Sequence, residues 1–116
     1  MEVGDCLFCS IVARKIPATI VLETDKSLAF RDISPKAPVH VLVIPKEHIQ
    51  NLMALEARHG ELLADIHQTI QQVARLEGAS ESGFRVAVNN GKNAGQAVGH
   101  LHYHVLAGRK LNWPPG

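Results

Sequence analysis

Apolar positions recur along the chain at two spacings, which predict one helix and several strands. Over residues 55–77 the apolar residues follow one helical face, and Gly78 stands where a C-cap glycine is expected. The apolar residues of this face are Leu62, Leu63, Ile66, Ile70, Val73 and Leu76. We predict that this segment is the one long helix, with His59 and His67 exposed on its surface.

Other segments carry the composition of strands, with β-branched residues or a nearly continuous apolar run. They are residues 18–23, 27–31, 39–44, 83–88 and 101–106. A turn at residues 24–26 joins the first two into a hairpin, and a short helix is expected near residues 6–14. Because strands and helices do not alternate, we predict one α+β domain over residues 1–116, built on an antiparallel sheet.

Composition and charge narrow the class of protein. The 116 residues include 12 Lys plus Arg against 11 Asp plus Glu, so no strong positive field is available to hold a nucleic acid or an anionic membrane. No apolar run approaches the roughly 20 residues of a membrane span, and the acidic start Met1-Glu-Val-Gly-Asp5 does not resemble a secretory signal. We therefore expect a cytoplasmic protein that binds neither nucleic acid nor membrane.

Histidine is unusually frequent, and three of the seven histidines lie at positions 100, 102 and 104. Side chains on a strand alternate between its faces, so these three imidazoles are predicted to share one face. At about 3.3 Å per residue, His100 and His104 stand about 13 Å apart, too far for all three rings to bind one atom. His102 alone has an imidazole on each side, and we predict that it is the centre of a site. Three merely structural histidines are the alternative, which their common register does not favour.

The segment before this cluster, residues 89–99, is polar and contains Gly91, Gly95 and Gly99. Glycine permits unusual backbone angles and close approach, so such a loop can turn several backbone N–H groups toward one anion. Beside the histidines, this loop favours a phosphate-containing ligand.

The run His100-Leu-His-Tyr-His-Val-Leu106 matches the motif His-φ-His-φ-His-φ-φ, with φ apolar, of the histidine triad (HIT) family. Residues 30–35, 37–46 and 113–116 also resemble the Hint branch of that family, the histidine triad nucleotide-binding proteins. The resemblance covers nearly the whole chain. It implies a HIT-like fold with a five-stranded antiparallel sheet, one long helix and a short N-terminal helix, assembled as a homodimer.

The resemblance also implies an activity, the cleavage of a purine nucleoside 5′-monophosphate from an amine, acyl or phosphate leaving group without a catalytic cofactor. In that reaction His102 attacks the α-phosphorus to form a nucleotidyl-imidazole, His104 contacts the phosphate and the departing group, and His40 completes the cluster. The implied binding residues are Phe8, Ile11, Phe30 and Ile33 for the purine, Asp32 for the ribose, Asn89, Gly95, Gln96 and Ala97 for the phosphate, and Trp113 reaching toward the partner's site. Without the resemblance, the four apolar residues are better explained as ordinary core, and Asp32 equally well as a turn residue.

Two positions depart from the family pattern. Ala97 stands where close relatives often place a hydroxyl residue near the leaving group, and Gly99 replaces a bulkier residue. Alanine cannot donate a hydrogen bond to the leaving group, so this chain is expected to differ in rate and in leaving-group preference.

Cys6 and Cys9, the only two cysteines, form a Cys-x-x-Cys pair, a spacing that can supply two of the four ligands of a tetrahedral zinc site. His48 and His100 are candidates for the other two ligands. Bacterial members of the family with the same pair close the site with histidines at these positions, which implies a structural zinc. A pair of free thiols is the alternative.

Two other functions stay open at this point. His100 and His102, spaced i and i+2, could instead hold a catalytic zinc whose bound water attacks the substrate. The second alternative is a module that binds nucleotides or partner proteins with little turnover, and the alanine at position 97 is compatible with it.

Overall fold

A five-stranded antiparallel sheet organises residues 5–116, the part of the chain that the computed structural model describes. Its strands are β1 (Ile20–Glu23), β2 (Ser27–Arg31), β3 (Val39–Pro45), β4 (Arg85–Ala87) and β5 (Tyr103–Ala107). They lie in the spatial order β1-β2-β3-β5-β4, so β5 is inserted between β3 and β4. The predicted α+β class is confirmed, and the observed strand ends lie within about two residues of the predicted ones.

Two helices flank the sheet. The short α1 (Leu7–Val12) begins at Cys6, whose sulfur accepts a hydrogen bond from the backbone N–H of Cys9. The long α2 (Gly60–Leu76) is followed by Gly78, whose φ of +71° is the left-handed conformation expected of a C-cap glycine. Within residues 5–116, neither helix has both the length and the apolar character that crossing a membrane requires.

Each helix covers a different face of the sheet. On one face α2 packs against β1, β2 and β3, in a cluster that extends to β5 and includes Val41, Val43, Ile66, Ile70, Val73, Leu101, Tyr103 and Val105. On the other face α1 packs against β2 and β3, in a cluster of Cys6, Phe8, Ile11, Leu28, Phe30, Leu42 and Ile44. Because β3 is buried on both faces, its sequence is a nearly continuous apolar run rather than an alternating one.

The face that α1 occupies is only partly covered, because α1 is six residues long. The remainder presents His40 of β3, Ala87 of β4, and both His104 and Leu106 of β5, which line a common cavity. In the β3–β5 register His40 pairs with Leu106, and Leu42 pairs with His104. Two histidines from neighbouring strands therefore meet on the open part of this face.

The segment before α2 differs from the prediction, which began the helix at residue 55. It forms two short 3-10 turns, Leu52–Ala54 and Ala57–His59, separated by Leu55 and Glu56 in extended conformation. These extended residues interrupt the helical backbone, so the continuous helix begins only at Gly60.

His59 corrects a second expectation. Its Nδ1 accepts a hydrogen bond of 2.9 Å from the backbone N–H of Glu56, and its Nε2 lies 3.3 Å from Oε2 of Glu47. In this capping arrangement the ring is buried, and only 3% of the residue is exposed. The prediction that His59 is exposed was therefore wrong, whereas His67 is exposed as predicted.

Candidate functional site

The histidine cluster keeps its predicted alternation although β5 begins only at Tyr103, after His100 and His102. Leu101 and Tyr103 are buried in the cluster that faces α2. The rings of His100 and His102 instead contact Phe8 of α1, at centroid distances of 5.9 and 5.2 Å. The two rings therefore share one face of the chain, as predicted, even though they precede the regular strand.

His102 is almost fully buried, at 6% exposure, and its ring is oriented by a backbone group. Nδ1 of the ring lies 2.7 Å from the carbonyl oxygen of His100. A carbonyl oxygen only accepts hydrogen bonds, so Nδ1 carries the proton and donates it. In the neutral form of the imidazole, Nε2 then carries no proton, and its lone pair is available for attack.

His40 and His104 form a second pair whose tautomers are also defined by contacts. The backbone N–H of Lys36 donates to Nδ1 of His40 at 3.0 Å, so that nitrogen carries no proton. Nε2 of His40 therefore carries the proton and donates it to Nδ1 of His104, 2.9 Å away. The proton of His104 is then on Nε2, which is buried without a hydrogen-bond partner among the described residues. A buried donor of this kind is suited to an oxygen atom of a ligand.

Burial keeps these two rings neutral. Desolvation lowers the pKa of His104 to about 4, and the adjacent rings of His102 and His40 add to this effect. Desolvation also lowers the pKa of His40, although the carboxylate of Asp32, with Oδ2 3.4 Å from Nε2 of His40, acts in the opposite direction. At neutral pH, His104 is thus a neutral hydrogen-bond donor rather than a cation.

An apolar groove of about 280 Å³ opens between α1 and β2, beside His102 and His104. It brings together the four residues expected to hold a purine, Phe8, Ile11, Phe30 and Ile33. The rings of Phe8 and Phe30 meet edge to face at 5.5 Å, whereas Ile33 is 97% exposed at the rim. Aromatic and aliphatic walls of this kind suit a flat heteroaromatic ring.

A second cavity, of about 400 Å³, adjoins the groove. Its lining residues include Asp32, Ser34, Lys36, His40, Asn89 and His104. Asp32 and His104 line both cavities and so stand at their junction. Oδ1 of Asp32 accepts a hydrogen bond of 2.7 Å from the backbone N–H of Ser34, which orients the carboxylate. The residues expected to contact the ribose and the phosphate, Asp32 and Asn89, therefore flank the same histidine.

The glycine-containing loop, residues 89–99, is stabilised mainly by hydrogen bonds within the loop. Gly91 and Gly95, at φ of +82° and +79°, turn the chain on either side of a short 3-10 turn. The backbone N–H groups of Gly95 and Gln96 donate to carbonyls inside the loop, and Oε1 of Gln96 accepts from the N–H of Gly91. Among the loop residues expected to contact the phosphate, Ala97 is the one that lines the apolar groove.

Trp113 is not among the lining residues of either cavity of its own chain within residues 5–116. It is 79% exposed, and the guanidinium of Arg85 lies 5.8 Å from its ring centroid. Its contact with the site of a partner chain stays a prediction.

Cys6, Cys9, His48 and His100 converge, with their donor atoms all within 4.8 Å of one another. Sγ of Cys9 lies 3.1 Å from Nδ1 of His48 and 3.5 Å from Nδ1 of His100. Sγ of Cys6 lies 3.4 Å from the same nitrogen of His100. Two sulfurs and two imidazole nitrogens are a common donor set of a structural, tetrahedral zinc site.

The protonation of these residues also fits zinc. Nε2 of His100 donates a 2.8 Å hydrogen bond to the carbonyl oxygen of Pro45, so Nδ1 is unprotonated where it faces the sulfurs. Burial lowers the pKa of His100, which keeps the ring neutral. Burial, assisted by the neighbouring Cys6, raises the pKa of Cys9 to about 11, so this thiol keeps its proton unless a cation displaces it.

A catalytic zinc held jointly by His100 and His102 is less consistent with this arrangement. The cluster of close donor atoms contains His100 but not His102, whose Nδ1 is engaged with a carbonyl. Asp32, His40 and His104 form a second cluster of possible metal ligands. The two nitrogens that face each other in it, Nε2 of His40 and Nδ1 of His104, are already joined by a hydrogen bond.

Some groups at the site could not be found from side-chain patterns. The backbone N–H of Lys36 and the carbonyl of Pro45 are main-chain groups, which give no signal in a sequence. Leu42 lines the groove and lies two residues after His40 on the same strand. Strand alternation could therefore have placed Leu42 at the site.

Comparisons with known proteins match the sequence and the fold over nearly the whole chain. A family model described as the HIT domain matches residues 13–111. The adenylylsulfatase HINT1 of Arabidopsis thaliana is 46% identical over 112 residues, covering 95% of this chain and 76% of the relative. The 14 kDa zinc-binding protein of Brassica juncea is 46% identical over 114 residues, covering 97% of this chain and 100% of the relative. The crystal structure of a HIT family hydrolase from Legionella pneumophila Philadelphia 1 is 47% identical with a TM-score of 0.94, covering 97% of this chain and 100% of that one.

Proposed function

The chain belongs to the HIT domain family, and on that premise we propose that it is a hydrolase that releases a purine nucleoside 5′-monophosphate from an amine, acyl or phosphate leaving group. The observation that carries the proposal is the buried ring of His102, whose Nδ1 is committed to the carbonyl of His100. A neutral imidazole with one unprotonated nitrogen is a nucleophile at neutral pH.

The proposed reaction has two steps. Nε2 of His102 first attacks the α-phosphorus, so an N–P bond forms and the bond from phosphorus to the leaving group breaks. The departing group takes a proton from solvent, and the Nε2–H of neutral His104, a buried donor on the adjoining wall, stabilises it with a hydrogen bond. Water then attacks the phosphorus and releases a proton to solvent, the N–P bond breaks, and the nucleoside monophosphate leaves with His102 restored.

The substrate contacts follow from the two cavities. The purine lies in the apolar groove against Phe8 and Phe30. Asp32 stands at the junction of the cavities, where its carboxylate accepts hydrogen bonds from the ribose hydroxyls. Asn89 and the backbone of Ala97 contact the phosphate.

The proposal also includes a zinc ion with a structural role. Its four ligands are Cys6, Cys9, His48 and His100, which leave no coordination position open for substrate. Bound there, the ion supplies a cross-link between α1 and the sheet. The zinc-binding name of the Brassica juncea relative is in keeping with this assignment.

The proposal also includes a homodimer in which Trp113 reaches toward the partner's site. The exposure of this large side chain, 79%, leaves its surface available for such a contact. The oligomeric state in solution, measured by sedimentation, tests this part.

A substrate panel tests the activity. Adenosine and guanosine phosphoramidates, aminoacyl adenylates and dinucleoside polyphosphates are assayed, together with adenylyl sulfate, because the Arabidopsis thaliana relative is named an adenylylsulfatase. We expect His102→Ala to lower turnover by several orders of magnitude while nucleoside monophosphate still binds, since the substitution removes the nucleophile but not the groove. His67→Ala, on the exposed side of α2, is the matched control and keeps wild-type turnover.

Near-wild-type turnover by His102→Ala would remove the nucleophile assignment. Nucleotide binding without turnover of any compound in the panel would instead support a binding module.

A further inference from the structure

We propose that the turn after β5, formed by Gly108 and Arg109, is a positioning element. Through the backbone N–H of Lys36 it determines which ring nitrogens of His40 and His104 are protonated. The catalytic consequence rests on the proposed function. The proton positions themselves can be observed without any turnover.

Two contacts connect this turn with the loop that precedes β3. The guanidinium of Arg109 donates to the carbonyl oxygen of Lys36 at 3.0 Å and to that of Lys110 at 3.0 Å, so it bridges the loop and the C-terminal segment. Gly108 has a φ of +93°, and a Cβ built on it would lie 2.8 Å from Cβ of Pro38. The turn therefore packs its backbone directly on Pro38, which no other residue type allows without a shift.

The loop held in this way carries the amide that faces His40. Its N–H, on Lys36, lies 3.0 Å from Nδ1 of His40, and a proton on that nitrogen would place two hydrogens in one gap. Only the Nε2–H tautomer of His40 satisfies the contact, and that tautomer donates to Nδ1 of His104. The proton of His104 is thereby kept on Nε2, the buried atom without a partner among the described residues.

Loosening the turn would release this arrangement. His40 could then carry its proton on Nδ1 and accept through Nε2, so that His104 would move its own proton to Nδ1. His104 would present a lone pair, instead of a donor, to the oxygens of the substrate. Molecules with this second tautomer are inactive, so they lower the fraction of enzyme that can react. Because the groove for the purine is unchanged, kcat falls more than KM changes.

Two matched pairs of variants test the inference. Arg109→Gln removes the guanidinium contact with the loop, and Lys110→Gln removes a neighbouring positive charge without touching the loop. Lys36→Pro deletes the backbone N–H, and Lys36→Ala keeps it. Each protein is labelled with ¹⁵N-histidine, and the nitrogen chemical shifts of His40 and His104 report which ring nitrogen is protonated.

We expect wild type, Lys110→Gln and Lys36→Ala to show the single tautomer described above. Arg109→Gln and Lys36→Pro should show a mixture, and Arg109→Lys should restore part of the wild-type pattern because lysine can also donate to the carbonyl. Turnover of an adenosine phosphoramidate should fall in Arg109→Gln by about 2- to 10-fold in kcat, the effect of one modest hydrogen bond, with KM nearly unchanged.

Wild-type nitrogen shifts in folded Arg109→Gln and Lys36→Pro would overturn the inference. If Lys36→Pro does not fold, Arg109→Gln and its control decide the matter. A wild-type protein with no turnover would count against the proposed function, and the nitrogen shifts would still decide whether the turn sets the tautomers.

Discussion

Nδ1 of His102 donates a 2.7 Å hydrogen bond to the carbonyl oxygen of His100, while the ring of His100 faces Cys6 and Cys9. One residue therefore serves the proposed nucleophile with its backbone and the proposed metal site with its side chain. Phe8, which lies between the two cysteines in sequence, contacts both histidine rings. The metal site, the wall of the groove and the nucleophile are thus immediate neighbours.

We predict one zinc per chain, whose removal lowers the melting temperature more than it lowers the turnover of protein that stays folded. The ion joins α1 to the sheet in the folded state only, so its binding free energy adds to folding stability. The bond that orients His102 is made to a backbone carbonyl and does not require the ion. Elemental analysis, followed by melting and turnover with and without a chelator, checks the prediction.

The control for this experiment lies on the same helix. Cys6→Ser should lose the zinc, and Ser10→Ala should retain it. Purified protein without zinc, or a disulfide between Cys6 and Cys9 in the folded protein, would contradict the assignment.

Ala97→Ser should raise turnover most for substrates with poor leaving groups. Ala97 lines the groove beside His102 and His104, so a serine hydroxyl there can donate to the departing atom. One hydrogen bond made in the transition state is worth roughly 1 to 3 kcal/mol, or about 5- to 150-fold in rate. We expect a larger gain for phosphoramidates of basic amines than for acyl or aryl phosphates, which need little protonation.

Rapid-quench measurement of the nucleotidylation step is the suitable assay, because product release can mask chemistry in kcat. Ala94→Ser, in the same loop but outside the lining of the groove, serves as the control. Equal acceleration of both substrate classes would show that the hydroxyl does not act through the leaving group.

The fold was largely predictable, because side-chain periodicity records which face of an element is buried. Ile66 and Val73 follow the helical spacing and are fully buried. The start of α2 could not be predicted in this way, because Leu55 and Glu56 leave the helical conformation while keeping the apolar pattern. His59 was misjudged because it lies in the short 3-10 turn before α2, where its ring caps the backbone of Glu56, and not on the helix whose spacing was used.

In the candidate site, too, some groups could be predicted from the sequence and others could not. The four candidate metal ligands were predicted because the Cys-x-x-Cys pair is chemically distinctive and the family resemblance pointed to His48 and His100, and the fold brings the four together. The groups that fix the protonation of the histidines are the carbonyls of His100 and Pro45 and the N–H of Lys36. Every residue has these groups, so only the three-dimensional structure reveals which of them are used.

His104 should make the protein less stable as the solution becomes acidic. Burial lowers its pKa from 6.5 to about 4, so between these values the unfolded chain binds a proton that the folded chain does not. The free energy of unfolding therefore decreases as the pH falls through this window and is unaffected by His104 above it. We expect His104 to account for a loss of ~1–2 kcal/mol between pH 6.5 and pH 5.

Urea unfolding measures this loss. Both proteins carry Cys6→Ser, so that acid release of zinc does not contribute, and one of them also carries His104→Gln. The chain that retains His104 should lose more stability over the same pH interval. Equal losses in the two proteins would argue against a buried neutral imidazole at this position.

Trapping of the covalent intermediate on His102 is the decisive test of the proposed mechanism. Wild-type protein is mixed with an adenosine phosphoramidate, quenched in alkali within one turnover, because a phosphorus–imidazole bond survives there, and digested for mass spectrometry. We expect an adenylyl group on the peptide at His102, formed at least as fast as turnover and absent from His102→Ala. Turnover without an adduct at any quench time, or an adduct on a different histidine, would contradict it.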